Sequence, residues 1–593
     1  MHPTIEKSLR DHALRAPERP AILATGRPDL SWRLLLQQIE YVANSLNAMG
    51  IGRNERVAIV LPSGPEMAVA FVAVASCATA APLNPACRQS EFEFCLLDLK
   101  AKAVIVSADG DTAARTAAQT LGIPVVELSF DSHAEAGTFT LAGEARPAPA
   151  RQGFADEHDI ALVLHTSGTT SRPKIVPLTQ GNLAASTRNH ELALSLTGDD
   201  LCLVMMPLFH VHGLVSAVLA SLTTGGRVLC TGGFDAPLFF ALLEETRPTW
   251  FTGAPALYQG LLAQVSSHRQ VVSAHSLRFL RSAAAPLPPS VLKELEQCFK
   301  VPVIESYGMT ETAAQIASNP LPPHPRKTGS VGIASGPEVA IMAEDGRFLS
   351  AGASGEIVIR GDNLMTSYED NPAANNSAFA NGWFRTGDQG FIDRDGFLFI
   401  TGRLKEIINR GGEKISPREV DEAILEHPDV AEVATFAVPH ARLGEDMVAA
   451  VVLRENVSGD EKALREFVSA RLAQLKLPSR ILIVDQIPKG PTGKLQRGRL
   501  AEVFQSKLWA AYSPARDTVE VAIARIWAEV LCVEQVGIHD NFFTLGGDSL
   551  LATRVVARME SALEWKVPLR IFFDCPTVAE VAQLVHQGMH GEA

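Results

Sequence analysis

ALVLHTSGTTSRPKIVPLT, residues 161–179, runs from apolar residues into a crowd of hydroxyls and glycine and then to a lysine. The apolar opening reads as an interior strand over 161–164. It delivers Thr166, Ser167, Gly168, Thr169 and Thr170 into a turn where backbone N–H groups and hydroxyls converge, and Lys174 adds positive charge. Converging donors with a cation make a cradle for phosphate. The spacing does not fit GxxxxGK[ST], so the P-loop mechanism is not transferable. Read alone, the segment fits a solvated Ser/Thr-rich loop equally well.

Runs of the same kind lie on the N-terminal side, in ERVAIVLP from Glu55 and AKAVIVSA from Ala101. They alternate with longer helical patterns over roughly the first four hundred residues, which predicts an α/β fold with buried, largely parallel strands. From about Gly396 the texture changes to shorter strands and amphipathic helices. In SPREVDEAILEHPDVAEVATFAVP, Val420, Ala423, Ile424 and Val430 fall on one helical side or at its end. A small α+β domain is expected over 404–503, after a large domain over 1–403. Ser, Pro, Ala and Arg then break the apolar periodicity, placing a linker at 504–517. Asp517 and Glu520 form a capping pattern ahead of Val519, Ile523, Ile526 and Val530 at helical spacing. A terminal four-helix bundle is expected over 518–593.

Composition narrows the functions. The 593 residues are 46% hydrophobic, enough for several cores. A formal net charge of −13 argues against a protein that coats nucleic acid or an anionic membrane. The eight cysteines form no CxxC pair and read as buried thiols of a reducing cytoplasm. The charged N-terminus has no apolar signal-peptide core. MAVAFVAVASCATAAPL, from Met67, is shorter than the ~20 residues of a membrane span and predicts a buried helix.

Four further segments follow the hydroxyl loop in order: ESYGMTET (305–312), WFRTGDQG (383–390), ITGRLKEIINRGGEKISP (400–417) and PKGPTGKLQR (488–497). Together with the loop they resemble the motif series of the adenylate-forming superfamily, over roughly residues 1–503. That resemblance implies a large multi-sheet adenylation domain, a small mobile C-terminal domain, and a reaction that joins a carboxylic acid to ATP, releases pyrophosphate and passes the acyl group to a thiol. It implies Glu311 as the Mg²⁺-linked glutamate and Thr310 as its phosphate-contacting neighbour. Lys494 matches the lysine that bridges carboxylate and phosphate, where a compact charge suits the chemistry. Tyr307 resembles the adenine-stacking aromatic, Asp388 the ribose-binding carboxylate, Arg403 the ribose- and phosphate-proximal arginine, and Lys405 the hinge. Taken singly, Asp388 fits a turn residue, Lys494 a surface lysine, Tyr307 a core aromatic, Glu311 a solvated helix residue and Lys405 a helix-end lysine. Ser171 and Ile175 stand where the family pattern TGxPKG has glycines.

DNFFTLGGDSLLATRVV (540–556) resembles the acyl or peptidyl carrier domain, with Ser549 at the position that carries 4′-phosphopantetheine. Asp548 or Ser549 as a plain helix cap is the alternative. The implied chain loads its own carrier. It calls for a phosphopantetheinyl transferase as partner, and for a downstream condensation, ketosynthase or tailoring enzyme, because no such region fits in the remaining length. A CoA ligase whose carrier is incidental, and a scaffold with dead chemistry, are the competing readings.

PLFHVHGL (207–214) resembles the acyl-CoA synthetase form of its motif, with His210 at the gating aromatic position and His212 facing the acyl pocket, while a satisfied core histidine fits His212 equally well. Val211, Ala284, Gly308 and Ala314 are implied pocket positions, with Ala283 and Ala285 beside Ala284, and plain helix or loop packing is the alternative for the three alanines. The wording LHTSGTTSRPK, PLFHVHGL, SNPLP and INRGGEKISP is closest to oxalyl-CoA synthetases and points to a small acid. Those enzymes place a histidine where this chain has Ala314, which argues against oxalate itself. Domains that select α-amino acids place an aspartate after the gating aromatic, since a buried ammonium needs a carboxylate. Here that residue is Val211.

Overall fold

In the computed structural model, the described residues are 4–110, 112–166, 173–440, 443–454, 457, 459–489, 495–508, 513–531, 533–543, 545, 547, 549–563 and 575–590. Contacts divide the chain into Met1–Ile400 and Thr401–Ala593. The division falls inside the strand Leu398–Arg403, three residues before the boundary expected from composition.

The opening stretch forms the strand Ile160–Thr166 and, antiparallel to it, Lys174–Thr179. His165 pairs with Ile175 and Thr166 with Lys174. The hydroxyl-rich residues therefore join two strands of a hairpin, whereas a P-loop leads from a strand into a helix. Ser167, Gly168, Thr169, Thr170 and Ser171 lie outside the described residues. This hairpin ends a seven-stranded sheet in the order Thr140–Ala142, Val125–Ser129, Ala103–Ser107, Arg56–Val60, Thr79–Pro82, Ile160–Thr166, Lys174–Thr179. Its interior pairs are parallel. Their residues are apolar on both faces because both faces are covered.

The second sheet has nine strands, in the order Ile333–Ala334, Ala317–Ser318, Val303–Tyr307, Phe279–Ser282, Trp250–Gly253, Leu201–Val204, Arg227–Cys230, Pro20–Leu23, Leu30–Ser31. Every pair from Val303–Tyr307 to Pro20–Leu23 is parallel. Strands Trp250–Gly253, Phe279–Ser282 and Val303–Tyr307 thus end side by side, at the carboxyl edge where open α/β sheets place ligands. The Ala-rich run expected as a buried helix is the helix Pro65–Cys77, in which every residue except Glu66 is buried. Small side chains let it pack closely, and Pro65 occupies the first turn where no N–H is needed. A third, antiparallel sheet contains Glu338–Met342, Gly355–Arg360, Trp383–Ile392 and Phe379–Ala380.

In the second unit, the strands Glu413–Ile415, Ile408–Arg410, Gly444–Leu453 and Val430–His440 form a sheet, with Arg480–Ile483 parallel to Gly444–Leu453. The helices Pro417–Leu425 and Glu461–Ser469 bury Val420, Ile424, Leu464 and Val468 with Ile408, Met447 and Ile481. Val430 opens the following strand instead of continuing the helix. Farther on, the described residues give the helices Thr518–Leu531, Ser549–Leu563 and Val578–His590 around Ile523, Trp527, Phe542, Val555 and Val581. The expected cap at Asp517 is present: its Oδ1 accepts from the N–H of Val519 at 2.9 Å and of Glu520 at 2.8 Å.

Candidate active site

At the carboxyl edge of the nine-stranded sheet, the backbone is held in conformations that side chains resist. After Tyr307 comes Gly308, where an added Cβ would stand 1.8 Å from the carbonyl oxygen of Ala314, so only glycine fits. The short 3₁₀ turn Thr310–Thr312 follows, and then Ala313 and Ala314 at φ of 47° and 87°. Ala284, after the neighbouring strand, stands at φ 75°. Left-handed backbone costs a non-glycine residue about 1–2 kcal/mol and collects at functional sites. The side-chain amide of Asn363 pins the turn, donating to the carbonyls of Thr312 at 2.8 Å and Gln315 at 2.7 Å. This brings Gly308 and Ala314 together, as pocket positions should be. Ala283 is buried there, while Ala284 and Ala285 are exposed.

Two phenol–carboxylate pairs flank this turn. Tyr307 donates its hydroxyl to Asp388 Oδ2 at 2.5 Å, with Asp388 buried on the strand Trp383–Ile392. Tyr368 donates to Glu311 Oε1 at 2.6 Å, and both residues are buried. The Nζ of Lys174 lies 4.2 Å from the centroid of the Tyr368 ring, a cation–π contact. Burial, followed by the charge of Glu311, holds the Tyr368 phenol well above its ordinary range, so it stays a donor. Lys174, Tyr368 and Glu311 therefore form one chain of contacts from the end of the hydroxyl loop to the 3₁₀ turn. Thr166 closes the hairpin, its hydroxyl 3.5 Å from the carbonyl of Lys174. Sequence reasoning named Lys174 and Glu311 but missed Tyr368.

PLFHVHGL enters a π-helix at His212–Leu219, a rare form frequent at functional sites. An added Cβ on Gly213 would meet the Pro207 carbonyl oxygen at 2.5 Å, which explains the glycine. The ring of His210 lies 4.5 Å from that of Phe209, and Val211 packs half-buried on the core. His212 is buried, its Nε2 2.7 Å from Thr252 Oγ1 and 3.4 Å from Nη1 of Arg281. Arg281, which the sequence reading also missed, is 1% exposed. It donates further to Thr252 Oγ1 at 3.2 Å and to Gln315 Oε1 at 3.2 Å.

In the second unit, Arg403 ends the strand Leu398–Arg403 and Lys405 sits in the 3₁₀ turn Leu404–Glu406, both exposed. Lys494 lies outside the described residues. Three positions on, Arg497, partly exposed, pairs with the buried carboxylate of Asp421 and donates to the Thr435 carbonyl at 2.7 Å. The chain just after Lys494 is thereby anchored to the small domain. Ser549 begins the helix Ser549–Leu563, as expected. Gly547 precedes it where an added Cβ would fall 2.3 Å from the Phe542 ring, so the turn before Ser549 requires glycine.

The donor set suits Mg²⁺. Among the described residues no cluster of three or more His, Cys, Asp or Glu could hold a metal. Mg²⁺ is commonly held by one or two carboxylates, with phosphate and water completing its shell, and Glu311 supplies such a carboxylate with its orientation fixed by Tyr368.

Comparison with known proteins agrees with this geometry. Residues 9–369 match the AMP-binding enzyme model, 419–494 the AMP-binding enzyme C-terminal domain, and 521–585 the phosphopantetheine attachment site. The chain is 41% identical over 519 residues to the probable CoA ligase CCL9 of Humulus lupulus, covering 86% of this chain and 98% of that one. It is 41% identical over 510 residues to the oxalate–CoA ligase of Arabidopsis thaliana, covering 85% and 99%. ATP-bound MatB from Rhodopseudomonas palustris superimposes with a TM-score of 0.77 at 29% identity, over 86% of this chain and 100% of that one. The chain belongs to the adenylate-forming AMP-binding enzyme family, as an AMP-forming ligase that uses ATP and Mg²⁺ and bears a carrier domain for 4′-phosphopantetheine.

Proposed function

We propose that the protein activates a small carboxylic acid as its acyl-adenylate and then loads the acyl group onto the phosphopantetheine arm of its own Ser549. The observation that carries this reading is the carrier module on the same chain as the ligase, with a serine at the start of a helix behind a glycine-dependent turn. Bringing a carboxylate oxygen to a phosphate sets two negative groups against each other. Mg²⁺ offsets that charge when bound. On the protein side, Glu311 holds the metal, Lys174 and the hydroxyl loop from Thr166 to Thr170 hold phosphate, and Lys494 neutralises the carboxylate as it attacks. Thr310 lies beside the phosphates, Asp388 and Arg403 take the ribose, and Tyr307 lies against the adenine with its hydroxyl fixed on Asp388. His210 gates the acyl pocket. Turning about Lys405, the small domain exchanges adenylation for thiol transfer.

The acid lacks an α-amino group, since Val211 packs on apolar core where an ammonium would need a carboxylate. The thioester passes to a condensation, ketosynthase or tailoring enzyme of a nonribosomal peptide or polyketide type of pathway. A cytoplasmic setting is supported by the free thiols of Cys77, Cys87, Cys95, Cys202, Cys230 and Cys298. No described helix is long and apolar enough to cross a membrane.

The CoA ligase names of the relatives favour a second reading, with free CoA as acceptor. Intact-protein mass spectrometry separates the two. After coexpression with a phosphopantetheinyl transferase, ATP and an acid panel should give acyl-thioester mass on the protein, absent in Ser549→Ala. Acyl-CoA formed with no protein thioester would establish the second reading.

A further inference from the structure

The third sheet breaks its ladder between the strands Gly355–Arg360 and Trp383–Ile392. Glu356 faces Gln389 and Val358 faces Arg385, so Ile357 alone stands opposite Thr386, Gly387 and Asp388. Gly387 turns the chain there at φ 72°. Extra residues in such a bulge lose their ladder partners, and a backbone N–H taken out of water needs an acceptor. Side chains supply the acceptors. Buried Glu356 accepts from the N–H of Gly387 on Oε1 at 3.1 Å, and on Oε2 from Nε and Nη2 of Arg385 at 2.7 and 2.6 Å. The Thr386 hydroxyl accepts from the N–H of Asp388 at 3.1 Å and donates to the carbonyl of Ile357 at 2.8 Å.

These contacts meet at the residue that ends the bulge. Asp388 is buried, and the Tyr307 hydroxyl holds its Oδ2 at 2.5 Å. Glu356 fastens the residues on both sides of Thr386, and Thr386 fastens the backbone of Asp388, so the bulge is pinned in one shape that aims the carboxylate at Tyr307. Bulges recur beside active sites because they re-aim a side chain in this way. A buried carboxylate is costly unless it is paired and hydrogen-bonded, and Glu356 meets that condition with Arg385 and the Gly387 N–H. Its effect on Asp388 is carried by the backbone.

We infer that Glu356 and Thr386 are positioning residues for the Asp388 carboxylate and that, through it, they set the preference for a ribonucleotide over a deoxyribonucleotide. This inference rests on the assignment of Asp388 to the ribose made above. A carboxylate discriminates between a sugar hydroxyl and its absence only while its oxygens stand at hydrogen-bond distance and angle. Loosening the bulge lets Asp388 swing, and the hydroxyl then adds little to binding. The adenine and phosphate contacts, made by other residues, are unaffected.

The test is equilibrium binding of ATP, 2′-deoxy-ATP and 3′-deoxy-ATP to the full chain with Mg²⁺ and without acid, so that no adenylate forms. Wild type should bind ATP more tightly than at least one analogue by roughly ten- to hundredfold, the size of a hydrogen bond to a charged acceptor. In Glu356→Ala that ratio should fall close to one, through loss of ATP affinity alone, and Glu356→Gln, which keeps an acceptor for the Gly387 N–H, should restore part of it. Thr386→Val leaves the buried carboxylate in place and should lower the ratio as well. A folded Glu356→Ala or Thr386→Val protein that keeps the wild-type ratio, with or without a uniform loss for all three nucleotides, overturns the inference and leaves the Asp388 assignment standing. A wild type that binds all three alike, or a folded Asp388→Ala protein that keeps the ratio, overturns the Asp388 assignment and the inference with it.

Discussion

Tyr368→Phe removes one oxygen from the chain of contacts that holds Glu311. The lost hydroxyl donates to Glu311 Oε1 at 2.6 Å between two buried side chains. The phenyl ring remains under Lys174, whose Nζ lies 4.2 Å from the centroid, so the cation contact survives. A hydrogen bond to a charged acceptor contributes about 1.5–3 kcal/mol. At 1.36 kcal/mol per decade, that is roughly a ten- to hundredfold effect. Because the phenol is held protonated by burial and by Glu311, the deficit should be the same across the working pH range. The assay is pyrophosphate release at saturating ATP and acid, with Mg²⁺ titrated. If Glu311 holds the metal, the Mg²⁺ concentration for half-maximal rate should rise by about that factor, as for other groups that orient a metal ligand. A folded Tyr368→Phe protein with an unchanged Mg²⁺ dependence would refute the reasoning and make the pair a packing feature.

Further outcomes are open to measurement. Lys494→Ala should abolish adenylation yet spare thioester formation from a supplied acyl-adenylate, and equal loss of both half-reactions would remove its assigned role. Lys405→Pro should keep pyrophosphate release and lose loading of the carrier, so loading that survives rules out rotation about that residue. Arg497→Ala leaves Asp421 buried and unpaired, which costs about 3–5 kcal/mol and should appear as early unfolding of the small domain in hydrogen exchange. Burial, with the Arg281 charge second, lowers buried His190 to about 3. The folded state thus favours the neutral ring: its contribution is whole above the unfolded value near 6.5 and declines as pH falls towards 3. The loss at pH 5 is about 2 kcal/mol, and urea midpoints at pH 7.5 and 5 should differ less in His190→Gln than in wild type.

The fold was legible where burial leaves a periodic mark. ERVAIVLP and AKAVIVSA are apolar on both faces because their strands lie inside a covered parallel sheet, and the segment from Met67 is apolar all round because its helix has no solvent side. Domain edges were less legible. The contact division falls within the strand Leu398–Arg403, so no loop or linker marks it in the sequence. Val430 shows the same limit, since it closes a helical pattern yet begins a strand.

The site was legible only where local chemistry constrains the residue type. Gly308, Gly213 and Gly547 are fixed by backbone or ring atoms within 2.5 Å of a would-be Cβ, so the motifs around them keep their spelling. Tyr368 has no such signature: its partner Glu311 is 57 residues away, and SYED reads as an ordinary surface turn until the fold closes. Arg281 did leave a signal, an arginine inside the strand-like run RFLRS beside a fully buried leucine. A charge at such a position is costly unless something meets it, so the residue that breaks the apolar pattern marks a site more reliably than those that obey it.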